Sequence, residues 1–206
     1  FLPYFVVTFK ALVESGFGLW HMGKRSRAVL ESVHLQNPLT GESQLVYDGM
    51  VGKFINADEA ICRGTQIEEI AKRLRSDMVS LDFVSITRLK YRDAFVRTPE
   101  FHVVIRNLLR RLSTLAYFYQ GTELQLDFKR LIELAEGVSF ENVSIRWQNF
   151  SRYSGRSKET MDFSGFVGCG RYTGNLAEFM PLLLCGSLLN VGKGATFGLG
   201  QFVVRA

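Results

Sequence analysis

The sequence predicts an α+β fold made of two tandem ferredoxin-like (RRM-like) units, the second complete and the first partial. Two observations carry this. From Met78 onward the elements read β-α-β-β-α-β with one small extra helix, the order of a split βαβ unit with two helices on one face of a four-stranded antiparallel sheet. The first 50 residues read α-β-β or α-β, like the trailing half of a similar unit. The expected boundaries are residues 1–76 for the partial unit with a connecting helix, and 77–206 for the complete one.

The elements follow from local patterns. Leu2, Phe5/Val6, Phe9 and Leu12/Val13 recur at helical spacing, Pro3 suits a first turn, and Gly16 ends the helix. Ser26 to Gln36 reads as a strand, Asn37-Pro38-Leu39-Thr40-Gly41 as a turn, and Gln44 to Tyr47 as the returning strand. Thr65-x-x-Glu68 reads as a capping box opening a short helix through Ile67, Ile70 and Leu74. Val79 to Leu89, rich in β-branched residues, is the next strand. Pro99 then opens a long helix with a stripe of Phe101, Val104/Ile105, Leu108, Leu112 and Leu115, and Arg106 and Arg110 on its outer face. Phe128 to Ala135 is a short helix stopped by Gly137. Val143 to Trp147 and Asp162 to Tyr172 form a hairpin with Arg152, Tyr153, Arg156 and Lys158 at its tip. Asn175-x-x-Glu178 caps a helix through Phe179, Leu182 and Leu183 that Gly186 ends, and Phe197 to Val204 is the last strand.

Composition narrows the functional classes. The chain has 47% hydrophobic and 22% charged residues, which excludes a disordered protein. Cys62, Cys169 and Cys185 are odd in number and form no CxxC pair. This argues for a reducing, cytoplasmic setting and against a disulfide frame or zinc site. No run reaches the ~18 apolar residues of a membrane span. The apolar stretch from Phe1 to Val13 contains Lys10 and lacks a basic leader and cleavage site, unlike a signal peptide. A start at Phe1 rather than Met points to a fragment. Between Arg88 and Leu112, seven basic residues stand against Asp93 and Glu100, a local charge of +5. With Lys24/Arg25/Arg27 and Arg152/Arg156/Lys158, these basic groups suit a polyanion such as RNA. Solvated faces with no partner show similar counts.

The most informative stretch is Leu189 to Val204, where four glycines and Lys193 lie between apolar runs. Glycines there permit positive φ and close approach of a ligand, and a lysine among exposed amides is a candidate phosphate cradle. A nucleotide-binding P-loop is excluded, because Ser187 stands where its first glycine belongs and Gly194 where its Ser or Thr belongs. No βαβ unit follows, so it is not a dinucleotide fingerprint. A tight glycine hairpin leading into the last strand remains the simpler reading.

The run Val191-Gly192-Lys193-Gly194-Ala195-Thr196-Phe197-Gly198-Leu199-Gly200 resembles the terminal glycine-rich loop of the RAMP superfamily of CRISPR-associated proteins. More narrowly, it resembles that of the Cas-six endoribonucleases that cut the CRISPR precursor transcript. Ser151 to Arg156 and Gly165-Phe166-Val167-Gly168 match as a basic hairpin. Thr87-Arg88-Leu89, Leu108 to Leu112, Gly16-Phe17-Gly18 and Lys24 to Arg27 agree more weakly. Two departures stand out. Asn190 occupies a position where members often have histidine, and the resemblance implies a strand-helix-strand piece of roughly 30 or more residues, opening the family's first unit, that is not found before the first helix of this sequence. In many members the catalytic histidine lies in that piece.

The resemblance implies metal-independent cleavage of repeat RNA, in which a 2′-hydroxyl attacks the adjacent phosphate and leaves 2′,3′-cyclic phosphate and 5′-hydroxyl ends. The reaction needs a base, an acid and a cation on the phosphorane. Histidine suits either proton role. His21, beside Lys24 and Arg25, is the catalytic candidate, while His34 and His102 read as surface or packing residues. Lys193 with Gly192, Gly194, Gly198 and Gly200, and Arg152, Arg156 and Lys158, are the expected RNA-backbone contacts, with Tyr153 stacking on a base. No metal-ligand spacing appears, and neither a metal nor a cofactor is expected. Repeat RNA, other CRISPR effector subunits and no membrane are the implied partners. A binding-only RAMP protein and a ferredoxin-like interaction module stay open as alternatives.

Overall fold

The computed structural model describes residues 2–21, 23–55, 62–155 and 158–205. The chain divides into two compact units, Phe1–Gln66 and Ile67–Ala206.

The first unit opens with α1 (Leu2–Ser15), which buries Val6 and Val13 and ends at Gly16, where φ is +89°. The hairpin β1 (Phe17–His21) and β2 (Lys24–Ser26) follows, then the antiparallel meander β3 (Ser32–Gln36), β4 (Ser43–Asp48) and β5 (Lys53–Phe54). The expected continuous strand from Ser26 to Gln36 is thus broken. The intervening backbone pairs elsewhere, Ala28 N donating to Val13 O and Glu31 O accepting from Gly49 N. The Asn37 turn forms as expected, because Asn37 Oδ1 accepts from the amides of Leu39 and Thr40.

The boundary between the units falls within α2 (Gly64–Arg73). This helix starts one residue before Thr65, so the expected capping box does not form. Gln66 Oε1 accepts from the Arg63 amide instead, and that contact closes the first turn.

The second unit comprises β6 (Met78–Thr87), the two-residue pair β7 (Lys90–Tyr91) and β8 (Ala94–Phe95), α3 (Phe101–Gln120), α4 (Phe128–Glu136), β9 (Ser139–Asn142), β10 (Arg146–Gln148), β11 (Ser151–Ser154), β12 (Glu159–Asp162), β13 (Gly165–Thr173), α5 (Met180–Leu189) and β14 (Phe202–Arg205). The main sheet runs β10-β13-β6-β14, all antiparallel, with β9 also paired to β13. First and third strands in the centre, second and fourth at the edges: this is the split βαβ order, and α+β ferredoxin-like topology holds here. The expected second strand is two short ones, bent where the amides of Val143 and Ser144 both reach Cys169 O.

One core joins sheet and helices. Val79, Leu81 and Phe83 alternate inward from β6 and meet Val104, Ile105 and Leu108 of α3 and Leu183 of α5. Phe101 packs on Tyr172 and Phe179, and the buried Tyr172 hydroxyl donates to Pro99 O at 2.8 Å. Burial raises its pKa, so it remains a donor throughout the neutral range.

Three sequence expectations are corrected near the end of the chain. Gly186 lies inside α5 rather than ending it, since a Cβ there would sit 2.5 Å from Leu108 Cδ2 and prevent α5 from approaching α3. Glu178 does not cap α5. Its carboxylate grips Arg130 at 2.6 and 2.8 Å, and a single 3₁₀ turn, Ala177–Phe179, leads into the helix. The last strand begins at Phe202, not Phe197, because Ala195–Phe197 is another 3₁₀ turn. No helix among the described residues is long and apolar enough to cross a membrane.

Candidate nucleic-acid interface

Asn190 leaves α5 at φ +60° and its Nδ2 donates across the loop to Leu199 O at 3.0 Å. Val191 N to Gly200 O, 2.8 Å, closes the loop at its base. The loop is then stitched along the end of β6. Lys193 N donates to Arg88 O at 2.9 Å and Gly200 N to Ile86 O at 2.9 Å, while Ser85 Oγ donates to Gly198 O at 3.0 Å and accepts from Gln201 N at 2.9 Å. Space decides two of the glycines. A Cβ on Gly192 would stand 2.4 Å from Arg88 O, and one on Gly200 1.8 Å from Val191 O. Gly194 abuts Leu199, whereas Gly198 has open space around it.

The amides expected to cradle phosphate therefore divide. Those of Lys193, Phe197, Gly198, Leu199 and Gly200 are engaged within the protein. Among the described residues, those of Gly192, Gly194, Ala195 and Thr196 have no protein acceptor. The Lys193 side chain is exposed and unpaired among the described residues. A small set of amides and one ammonium remain to meet an anion.

The hairpin of β11 and β12 forms a two-stranded sheet of its own, separate from the main sheet. Arg152 pairs with Met161 and Tyr153 with Thr160, and Phe163 N donates to Phe150 O at 2.8 Å at the base. Side chains alternate across a strand, so this register puts Arg152 on the face shared by Phe150 and Phe163. Tyr153, 64% exposed, lies on the opposite face. Arg152 and Tyr153 thus address different sides. Lys158, at φ +54°, is exposed at the turn, and Arg156 lies outside the described residues.

One residue ties loop and hairpin together. Arg88, 9% exposed, receives Lys193 N on its carbonyl and donates through Nη1 to Asp162 O at 2.7 Å, with Asp162 Oδ2 3.6 Å from Nη2. Its guanidinium lies 4.3 Å over the Phe95 ring. Hydrogen bonds from Ser164, and after them the Arg88 charge, hold the Asp162 carboxyl below the usual range. Asp162 is thus ionised opposite Arg88 at neutral pH. From sequence Arg88 is a member of a basic run and of the weakly matching Thr87-Arg88-Leu89, with no role of its own; the signal for one was its place at the end of a buried strand.

The rest of that basic run is largely engaged within the protein. Lys90 pairs with Asp93 at 3.0 Å and Arg106 with Glu136 at 2.9 Å, Arg110 donates to Asn107 Oδ1 and Arg111 to Leu189 O, and Arg97 lies 4.7 Å over Trp147. The local +5 is therefore not a free patch.

The histidines separate clearly. His102 bonds Glu100 at 2.9 Å and Arg106 and packs edge-on to Tyr91 at 5.1 Å, a structural position. His34 is an exposed residue of β3. His21 ends β1 in the first unit, and its side chain lies outside the description. Among the described residues no group of three or more His, Cys, Asp or Glu comes together as a metal site requires.

Comparisons with known proteins follow the same residues. A family model described as CRISPR-associated endoribonuclease Cas6 matches residues 81–202. Among solved structures, a Thermus thermophilus Cas6 superimposes at TM-score 0.50 and 15% identity, over 68% of this chain and 57% of that one. A Cas6 product complex gives TM-score 0.52 at 17% identity, over 99% of this chain and 72% of that one. A partial Cas6-RT-Cas1–Cas2 complex gives 0.50 at 15%, over 82% of this chain and 31% of that one. At such identities the likeness is one of fold. The chain spans little more than half the length of the Thermus thermophilus protein. No curated protein matches it.

Proposed function

The chain belongs to the CRISPR-associated endoribonuclease Cas6 family, and from that premise we propose that its second unit holds CRISPR repeat RNA on the face formed by the glycine loop and the hairpin, as part of a metal-independent repeat-RNA processing enzyme. The observation that carries this reading is the Arg88 junction, which presents Lys193 and the Arg152 face of the hairpin from one rigid support.

The reaction is transesterification. A base removes the 2′-hydroxyl proton, the 2′-oxygen attacks the adjacent phosphorus, and the 5′-oxygen leaves with a proton from an acid. The ends are 2′,3′-cyclic phosphate and 5′-hydroxyl. Lys193 and Arg152 neutralise phosphates, together with Arg156 and Lys158; Gly192 and Gly194 offer their amides to an anion, and Gly198 and Gly200 shape the loop that presents them. Each positioned proton transfer contributes about 10²–10⁴-fold, and His21 is the candidate for one of them. Repeat RNA and other CRISPR proteins are the partners, in the cytoplasm.

A second reading, an RNA-retaining protein that does not cut, is favoured by one observation. The second unit's single histidine, His102, is bound up with Glu100, Arg106 and Tyr91.

End-labelled repeat RNA incubated with the chain in EDTA separates these readings. Cleavage of all-ribose RNA, and none when the nucleotide before the cut is 2′-deoxy, is the expected result, and His21→Ala should abolish it. Retained but uncut RNA establishes the second reading. RNA neither cut nor bound removes both. For binding, Lys193→Ala and Arg152→Ala should each weaken affinity about fivefold, equivalent to ~1 kcal/mol, and each should reduce the log–log salt slope by about 0.7. Unchanged affinity in both would take loop and hairpin out of the site.

A further inference from the structure

Charge accounts for only part of this face. Phe197, 61% exposed, and Phe150, 48% exposed, both rest on Phe163, which is 6% exposed. The ring centroids are 5.5 Å apart for Phe163–Phe197, at 81°, and 6.3 Å for Phe150–Phe163, at 57°. Phe163 is thus the buried footing and the other two rings are what solvent meets. An exposed phenylalanine on a 3₁₀ turn between glycines gains little from burial, so folding does not explain its ring.

Its neighbours are cationic. Lys193 lies four residues earlier in the same loop, and Arg152 lies two residues beyond Phe150 on the same hairpin face. Aromatic rings between separated cations match an unpaired polynucleotide, whose bases stack on rings while its phosphates meet the cations. Glu159 shares the Arg152 face nearer the hairpin turn, beyond Arg152, while the rings themselves lie between Lys193 and Arg152.

We propose that Phe197 and Phe150 form a stacking platform for unpaired bases of the bound RNA, running from the glycine loop to the Arg152 face of the hairpin. The proposal rests on the RNA-binding reading above and deepens it in two ways. The RNA segment crossing this face is single-stranded, since bases stacked within a duplex present no free π face. Tyr153, on the far side of the hairpin, takes no part in this track.

The test uses the full chain and a series of repeat RNAs carrying 2-aminopurine at successive positions, read by fluorescence and anisotropy at fixed salt. Binding should quench at least one position. Phe197→Leu, which keeps apolar bulk but removes the ring, should restore fluorescence there and weaken affinity about tenfold with the salt slope unchanged. Phe197→Trp should keep both signals, which guards against mere misfolding of the leucine variant. Phe150→Leu should act in the same direction, and Tyr153→Leu should leave the quenched position quenched. Wild-type affinity and quenching in both leucine variants would overturn the platform. If Lys193→Ala still weakened binding in that case, the RNA-binding reading would stand without it; if the wild-type chain bound no RNA, both would fall.

Discussion

Gly200→Ala is expected to lower the stability of the second unit by about 3–5 kcal/mol and to weaken RNA binding about fiftyfold as Lys193 and Phe197 are displaced together, while Gly198→Ala in the same loop costs about 1 kcal/mol. Both residues have positive φ, +77° and +82°, so both alanines carry the left-handed strain. Only Gly200 adds a collision. Its Cβ would stand 1.8 Å from Val191 O, so the backbone must move, and Gly198 meets nothing within 4 Å. The movement strikes where the loop closes, at Val191 N to Gly200 O and Gly200 N to Ile86 O. Each buried backbone hydrogen bond contributes ~1 kcal/mol net, and overpacking adds about 1–3. Marginal domains have only about 5–15 kcal/mol to lose. Thermal unfolding should show a fall of about 10 °C for Gly200→Ala and a few degrees for Gly198→Ala. Equal melting temperatures would mean that the loop is not locked at Gly200.

That contrast also shows what a sequence exposes and what it hides. Strand and helix order after Met78 was legible because periodicity reports which face is buried, as with Val79, Leu81 and Phe83. The loop was misread at its end. Phe197 and Leu199 alternate like strand residues, yet the 3₁₀ turn and the two flanking left-handed glycines keep them off the sheet. Gly186 signalled a helix end by propensity, whereas its missing side chain makes room for Leu108. Glu178 sat at a capping position but found the stronger partner in Arg130, 48 residues away. The last two misses share an origin: a long-range contact overrides a local preference.

Charge was the least legible property. The run from Arg88 to Leu112 looked like the polyanion surface, but Arg88 and Arg106 pair with Asp162 and Glu136, which are distant in sequence, and Arg97, Arg110 and Arg111 are held by neutral groups of the protein. Lys193 and Arg152, fewer and scattered, remain available. The opposed faces of Arg152 and Tyr153 were readable in principle from period-two alternation. The aromatic footing was not, since Phe163 meets Phe197 only through the fold.

Arg88 joins the two parts of the site in different ways, and its removal should separate them. Arg88→Ala keeps the carbonyl that receives Lys193 N, so the loop retains its anchor, but it deletes the guanidinium that holds the hairpin base at Asp162. The charge-assisted hydrogen bond is worth about 1.5–3 kcal/mol and the stack over Phe95 about 0.5–2. The ion pair adds little, because the Asp162 side chain is 66% exposed. A loss of about 3 kcal/mol is expected, a fall of about 10 °C in Tm. The distribution is the sharper test. In Arg88→Ala, amide exchange should accelerate in residues 150–163 and change little at Lys193 and Gly200, the reverse of the pattern in Gly200→Ala. RNA affinity should fall about tenfold, since Lys193 is still presented while Arg152 loses its fixed position. Arg88→Lys should recover little, because an ammonium cannot reproduce the fork that spans the Asp162 carbonyl and carboxylate. Unaltered exchange in the hairpin of Arg88→Ala would show that the hairpin is positioned without Arg88, and the common support beneath loop and hairpin would have to be abandoned.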